Sequence, residues 1–199
     1  MTFDAEWGLQ LANDKLAAGV PRRWAHAQHV VRKAQTLAPL LGDDAELLAA
    51  TAAVHDIGFA PDLGMAPVEA QGAIPGAAPG FPLFDGTRYL ESLGAPRRMV
   101  CLVANHACGP IEGDLRGYPQ MHDYPDEGGL IRDALWYCCL TIGPDGEDIS
   151  FDDRVVEWLK RYSDDPVMGI FTPRAVPLLR AAVERVQDAA AQHGLVLAG

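Results

Sequence analysis

The sequence predicts an all-α fold on three observations. Apolar residues recur at helical spacing wherever the chain is periodic, alternating β-branched runs of strand length are nearly absent, and Pro and Gly gather in two segments. At 199 residues, 49% of them apolar and 22% charged, the chain is long enough for one core and short for two. A single domain over 1–199 is expected.

The first helix is read over residues 4–18. Pro21 precedes the second, 22–40, and Gly42 ends it. Asp43 and Asp44 put negative charge at the start of the third, 44–57, where the helix dipole favours it. Asp85, ahead of Gly86-Thr87-Arg88, is placed to cap a fourth over 85–93, and a fifth runs over 96–107. In the sixth, 127–142, residues Leu130, Ile131, Ala134, Leu135, Cys138, Cys139 and Ile142 share one face. Helices over 151–163 and 173–193 follow; in the last, Leu178, Leu179, Ala182, Val183 and Val186 alternate with charge, which suits packing or a homodimer contact. Residues 60–86 and 108–126 hold too many Pro and Gly for helix and read as loops, the first long enough to act as a lid.

The formal charge of −11 gives a field that repels nucleic-acid polymers and anionic membrane surfaces. Neither a basic leader with an apolar stretch nor a membrane-length apolar run occurs, so cytoplasmic residence is expected. Cys101, Cys108, Cys138 and Cys139 show no paired spacing and read as reduced.

Chemistry concentrates at Val54-His55-Asp56-Ile57-Gly58, which ends the apolar run beginning at Leu47. Burying an imidazole and a carboxylate there costs several kcal/mol unless both find partners, and one divalent cation satisfies both. The plainer alternative makes His55 a hydrogen-bonded core histidine and Asp56 a helix cap. Arg23 and His26 lie on the preceding helix, and an antiparallel neighbour joined by a short loop brings His26 over the end of the third helix.

Arg23-x-x-His26, then Val30, then His55-Asp56-Ile57-Gly58 resembles the HD-domain superfamily of metal-dependent phosphohydrolases. The likeness spans residues 22–155, which makes 156–199 a C-terminal helical extension. It implies an HD-like helical bundle in which His26, His55 and Asp56 are metal ligands. The superfamily's final Asp ligand falls on Cys139. A thiolate there binds Fe²⁺, Co²⁺ or Zn²⁺ well, Mn²⁺ less well and Mg²⁺ poorly.

Relatives with two metals carry further histidines. Pro82 stands where one would fall, and Asn105-His106 keeps only the second of a later pair, so one divalent transition metal (Fe, Mn, Co or Zn) is expected. Asp56 is assigned a second role in orienting water. His106 is read either as a satisfied core histidine or as an acid or phosphate donor, and His29 as a packed or surface residue. Among the cations near the motifs, Arg23 suits a phosphate through its bidentate fork, while Lys33, Arg88, Arg97, Arg98 and Arg132 read as helix-face charges.

Two functions follow. One is a metal-dependent phosphohydrolase acting on a small phosphorylated metabolite or nucleotide; the other is a non-catalytic ligand-binding or protein-interaction module that has lost metal ligands.

Overall fold

The computed structural model describes residues 2–63 and 80–197. Among them there is no β-strand, only one bridge between Ile142 and Asp148, so the all-α expectation holds. The middle of the expected 60–86 loop, residues 64–79, lies outside the described residues.

Helix α1 spans Ala5–Leu16, capped by the Asp4 carboxylate, which accepts from the Trp7 amide at 2.9 Å. Its small stripe of Ala5, Gly8 and Ala12 lets it lie close against α4, Ala45–Val54, and the Glu46 carboxylate of α4 accepts from the Ala5 amide at 2.8 Å. Helix α2, Pro21–Thr36, stops earlier than the sequence reading. Pro39 has no N–H to continue the ladder, and a short α3, Ala38–Leu41, follows a break at Leu37.

The third expected helix also ends early. Helix α4 closes at Val54, so His55 and Asp56 fall in the departing turn, and a 3₁₀ turn over Ile57–Phe59 follows. Gly58 sets this geometry: a Cβ there would lie 1.7 Å from the Pro82 carbonyl oxygen. That close approach seats the start of α5, Pro82–Ser92, which begins three residues before the expected 85. Asp85 is therefore inside the first turn of α5 instead of capping it.

Helix α6, Arg97–Ala104, gives way to a turn over His106–Cys108 in which Ala107 (φ 47°) and Cys108 (φ 65°) adopt left-handed backbone. The expected 108–126 loop contains a helix that the sequence reading missed, α7, Gly109–Arg116. Its punctuating residues sit at its ends: Pro110 in the first turn and Gly117 (φ 81°) just past the last.

Helix α8, Gly129–Leu140, is buried over nearly its whole circumference from Ile131 onward, not on one face only. Helix α9 spans Phe151–Arg161. Helix α10, Pro166–Gln192, starts seven residues before the expected 173 and runs through Pro173 and Pro177. Both prolines, and Gly169 and Arg174 beside them, face outward, so the carbonyls freed by the missing N–H groups are solvated, while the buried stripe from Val167 to Ala190 continues past them.

One core joins these elements. α4 and α8 are its centre, α1 and α2 cover α4, and α10 lies along α8. Buried Asp133 of α8 accepts from Arg185 of α10 at 2.6 Å and faces Arg132 at 2.9 Å. No described helix is long and apolar enough to cross a membrane.

Gly58→Ala is expected to destabilise the fold by about 1–3 kcal/mol through overpacking, lowering the thermal midpoint by several degrees. Gly169→Ala, an exposed helical site with open space around it, is expected to raise it slightly. Circular dichroism melts check both; an unchanged midpoint for the first would remove the close approach at Pro82 from the account.

Candidate metal centre

Three elements deliver side chains to one buried point. His26 comes from α2, His55 from the turn after α4, and Cys139 from the last turn of α8. Each is buried. His26 Nδ1 lies 3.0 Å from the Gly143 carbonyl and His55 Nδ1 lies 2.7 Å from the Ala52 carbonyl. A carbonyl only accepts, so both Nδ1 atoms carry a proton, and in the neutral ring Nε2 is the nitrogen that offers its lone pair to the site.

The turn that holds His26 is itself held. Buried Lys33 of α2 donates to the Thr141 carbonyl at 3.1 Å and to its hydroxyl at 2.9 Å, and pairs with Asp148 at 2.7 Å, bracketing the turn that contains Gly143. The acidic turn after α8 thus orients a histidine through its backbone. Fixing the far nitrogen of an imidazole in this way is how metal-binding histidines are commonly positioned.

Cys139 Sγ stands 3.5 Å from His26 Nε2. One ligand atom from each of His26, His55 and Cys139 lies within 4.8 Å of the others. Ligand atoms around a tetrahedral ion with bonds of about 2.0–2.3 Å stand about 3.3–3.7 Å apart, so one edge is already at that separation. His55 Nε2 is buried without a hydrogen-bond partner. The donor set and its orphaned nitrogen fit a metal ion, and these three residues can hold one.

The other residues read from the sequence stand around this cluster. Asp56 Oδ2 is 3.6 Å from His55 Nε2 and accepts from Arg23 at 2.8 Å. Arg23 also donates to the Tyr162 hydroxyl at 3.1 Å and stacks on Phe59, its guanidinium 3.7 Å from the ring centre. The buried imidazole of His106 has its centre 4.9 Å from that of His55, and its Nε2 has no partner. His29, half-buried, bonds the Ala25 carbonyl one turn back at 2.8 Å and takes no part. Arg97, Arg98 and Arg132 pair with carboxylates elsewhere, as helix-face charges do.

Charge is concentrated here. Burial alone would raise the Asp56 carboxyl, but the Arg23 guanidinium and the imidazoles of His55, His26 and His106 outweigh it and hold Asp56 ionised well below the usual carboxylate range. Burial would lower His55, yet the charges of Asp56 and Cys139 raise it to about 9. Burial would likewise raise the Cys139 thiol, and His106 and His55 bring it well below its ordinary value. By contrast, burial pushes the neighbouring Cys138 up. The cysteine that meets the histidines is the one favoured as thiolate, the form that binds metal.

The cluster opens on a cavity of about 530 Å³ that His55, Asp56, His106, Cys139 and Arg23 help to line. Sequence reasoning missed the rest of its charge: Glu112 and Arg116 of α7, Arg154 and Arg161 of α9, and Asp164 and Asp165 between α9 and α10. Arg116 donates to Glu112 at 2.7 Å and to Asp165 at 2.7 Å, and burial pushes the Glu112 carboxyl up. A signal for the α9 pair was present in the spacing Arg154, Trp158, Arg161, which places the three on one helical face.

No protein-family model, curated protein or solved structure matches this chain. Function must be argued from the site itself.

Co²⁺ added to metal-free protein is expected to bind near one equivalent and to show thiolate-to-cobalt charge-transfer absorption. Cys139→Ser should abolish that band, and His55→Ala should weaken binding by at least about a hundredfold, since even an outer contact of a ligand contributes 10- to 100-fold. A band that survives Cys139→Ser would take the thiol out of the site.

Proposed function

We propose that the protein is a metal-dependent phosphohydrolase of the HD type, acting on a small phosphorylated metabolite, with the ion held by His26, His55 and Cys139. The observation that carries this reading is the meeting of two tautomer-fixed imidazoles and a thiol at one point, with His55 and Cys139 of that group in the wall of a ligand-sized cavity that is also lined by arginines. The donor set favours Zn²⁺, Fe²⁺ or Co²⁺ over Mn²⁺ and Mg²⁺, because the thiolate is soft.

When bound, the ion would act as a Lewis acid toward a phosphoryl oxygen. The chain's own groups do the rest. Asp56, kept ionised by Arg23, accepts a hydrogen bond from the attacking water and orients it. The water adds to phosphorus, the P–O ester bond breaks, and the departing alcohol oxygen takes a proton from His106. The proton released by the water reprotonates that ring, giving an alcohol and inorganic phosphate. Arg23 offers the phosphate the edge of its guanidinium that Asp56 and Tyr162 leave free.

One observation favours the second reading, a non-catalytic binding module: Asp56 is already engaged by Arg23 and stands outside the three-donor group. Assays separate the two. With Zn²⁺, Fe²⁺ or Co²⁺, a panel of phosphomonoesters should release phosphate, Asp56→Asn and His106→Ala should each lower kcat about 10²-fold or more, and the double variant His26→Ala/His55→Ala should be inactive. Metal bound at one equivalent with no turnover of any panel member would establish the binding module instead.

A further inference from the structure

Helix α9 is built inside out. Arg154, Trp158 and Arg161, at i, i+4 and i+7, face the cavity, while Val156 and Leu159 are 64% and 48% exposed on the other side. Arg154 is only 2% exposed. The two arginines share a single carboxylate, Glu157, through Arg154 Nη1 to Oε2 at 2.9 Å and Arg161 to Oε1. One positive charge is left over. Arg154 Nε is buried without a hydrogen-bond partner, and an unmet buried donor on a charged group costs about 1–3 kcal/mol or more. An anion in the cavity would meet it.

The remaining wall is of another kind. Phe59, Phe81, Leu83, Trp158, Met168 and Phe171 supply apolar and largely aromatic surface. Among the described residues that line the cavity there is no Ser, Thr, Asn or Gln. Arg23, Arg116, Glu112 and Asp165 are paired with one another or with Asp56, and the Tyr162 hydroxyl already accepts from Arg23; Asp164 is exposed at the rim. Beyond the imidazole nitrogens of His55 and His106 and the Tyr162 O–H, a sugar or a base edge entering here would find few side-chain partners to replace its hydrogen bonds to water, whereas an apolar ring would gain roughly 25 cal/mol for each Å² buried.

We propose that the cavity takes a phosphate monoester whose alcohol part is apolar and aromatic, with Arg154 and Arg161 holding the phosphate and the aromatic wall holding the ring, in preference to a sugar phosphate or nucleotide. The placement of the ester beside His26, His55 and Cys139 rests on the phosphohydrolase reading; the cavity's preference does not.

Calorimetry on protein stripped of metal with chelator tests the two parts separately, with 1-naphthyl phosphate, 1-naphthol, ribose 5-phosphate and adenosine monophosphate as probes. Naphthyl phosphate should bind at least about tenfold more tightly than either sugar-bearing phosphate, the effect of one or two unmet hydrogen bonds. Arg154→Met/Arg161→Met should weaken naphthyl phosphate about tenfold and leave naphthol unchanged, and Trp158→Ala should weaken both. Arg161→Met alone, at the less buried position, carries the same sign should the double variant not fold.

Equal affinity for the sugar phosphates, or equal loss of naphthol and naphthyl phosphate in the arginine variants, overturns the proposal. Retained naphthyl phosphate binding in His55→Ala supports it. If wild-type protein loaded with metal binds the ester and never hydrolyses it, the phosphohydrolase reading fails and the cavity's preference stands.

Discussion

Two buried imidazoles whose Nδ1 protons are committed to backbone carbonyls are the constraint around which this bundle is arranged. His26 is tied to Gly143 and His55 to Ala52, and each therefore turns its Nε2 toward the site. Leaving such a buried nitrogen without a partner, as at His55, is unfavourable. Lys33 shows how deep the requirement reaches. A buried ammonium, itself costly, is kept so that the turn carrying Gly143 stays in register with α2.

The fold class was legible because its signal is repetitive: many apolar residues at helical spacing agree with one another, and no single misplaced residue can reverse them. Boundaries were less so. The end of α4 is set by Gly58 meeting the Pro82 carbonyl, a contact between segments more than twenty residues apart, which local pattern does not carry. Helix α7 was hidden because Gly109, Pro110 and Gly117 look alike in a sequence whether they break a helix or bound it. α10 was cut short for the opposite reason: Pro173 and Pro177 are tolerable only because both lie on the wetted side.

At the site, His26, His55 and Cys139 were selected by the resemblance that Arg23-x-x-His26 and His55-Asp56 carry, with Cys139 falling where that pattern has its final acidic ligand. Asp56 followed from the same dipeptide, although its main partner, Arg23, came from another helix. The arginines of α9 were not legible. Their spacing is plain, but an amphipathic helix is ordinarily read with its charge outward, and only the packing of α9 beside α10 turns that face inward.

The turn after α6 adds a different property. Ala107 and Cys108 both carry a Cβ in left-handed backbone, at a cost of about 1–3 kcal/mol each, and His106 sits at its head. The imidazole is thus carried at the head of a turn whose unfavourable backbone the surrounding packing must hold in place.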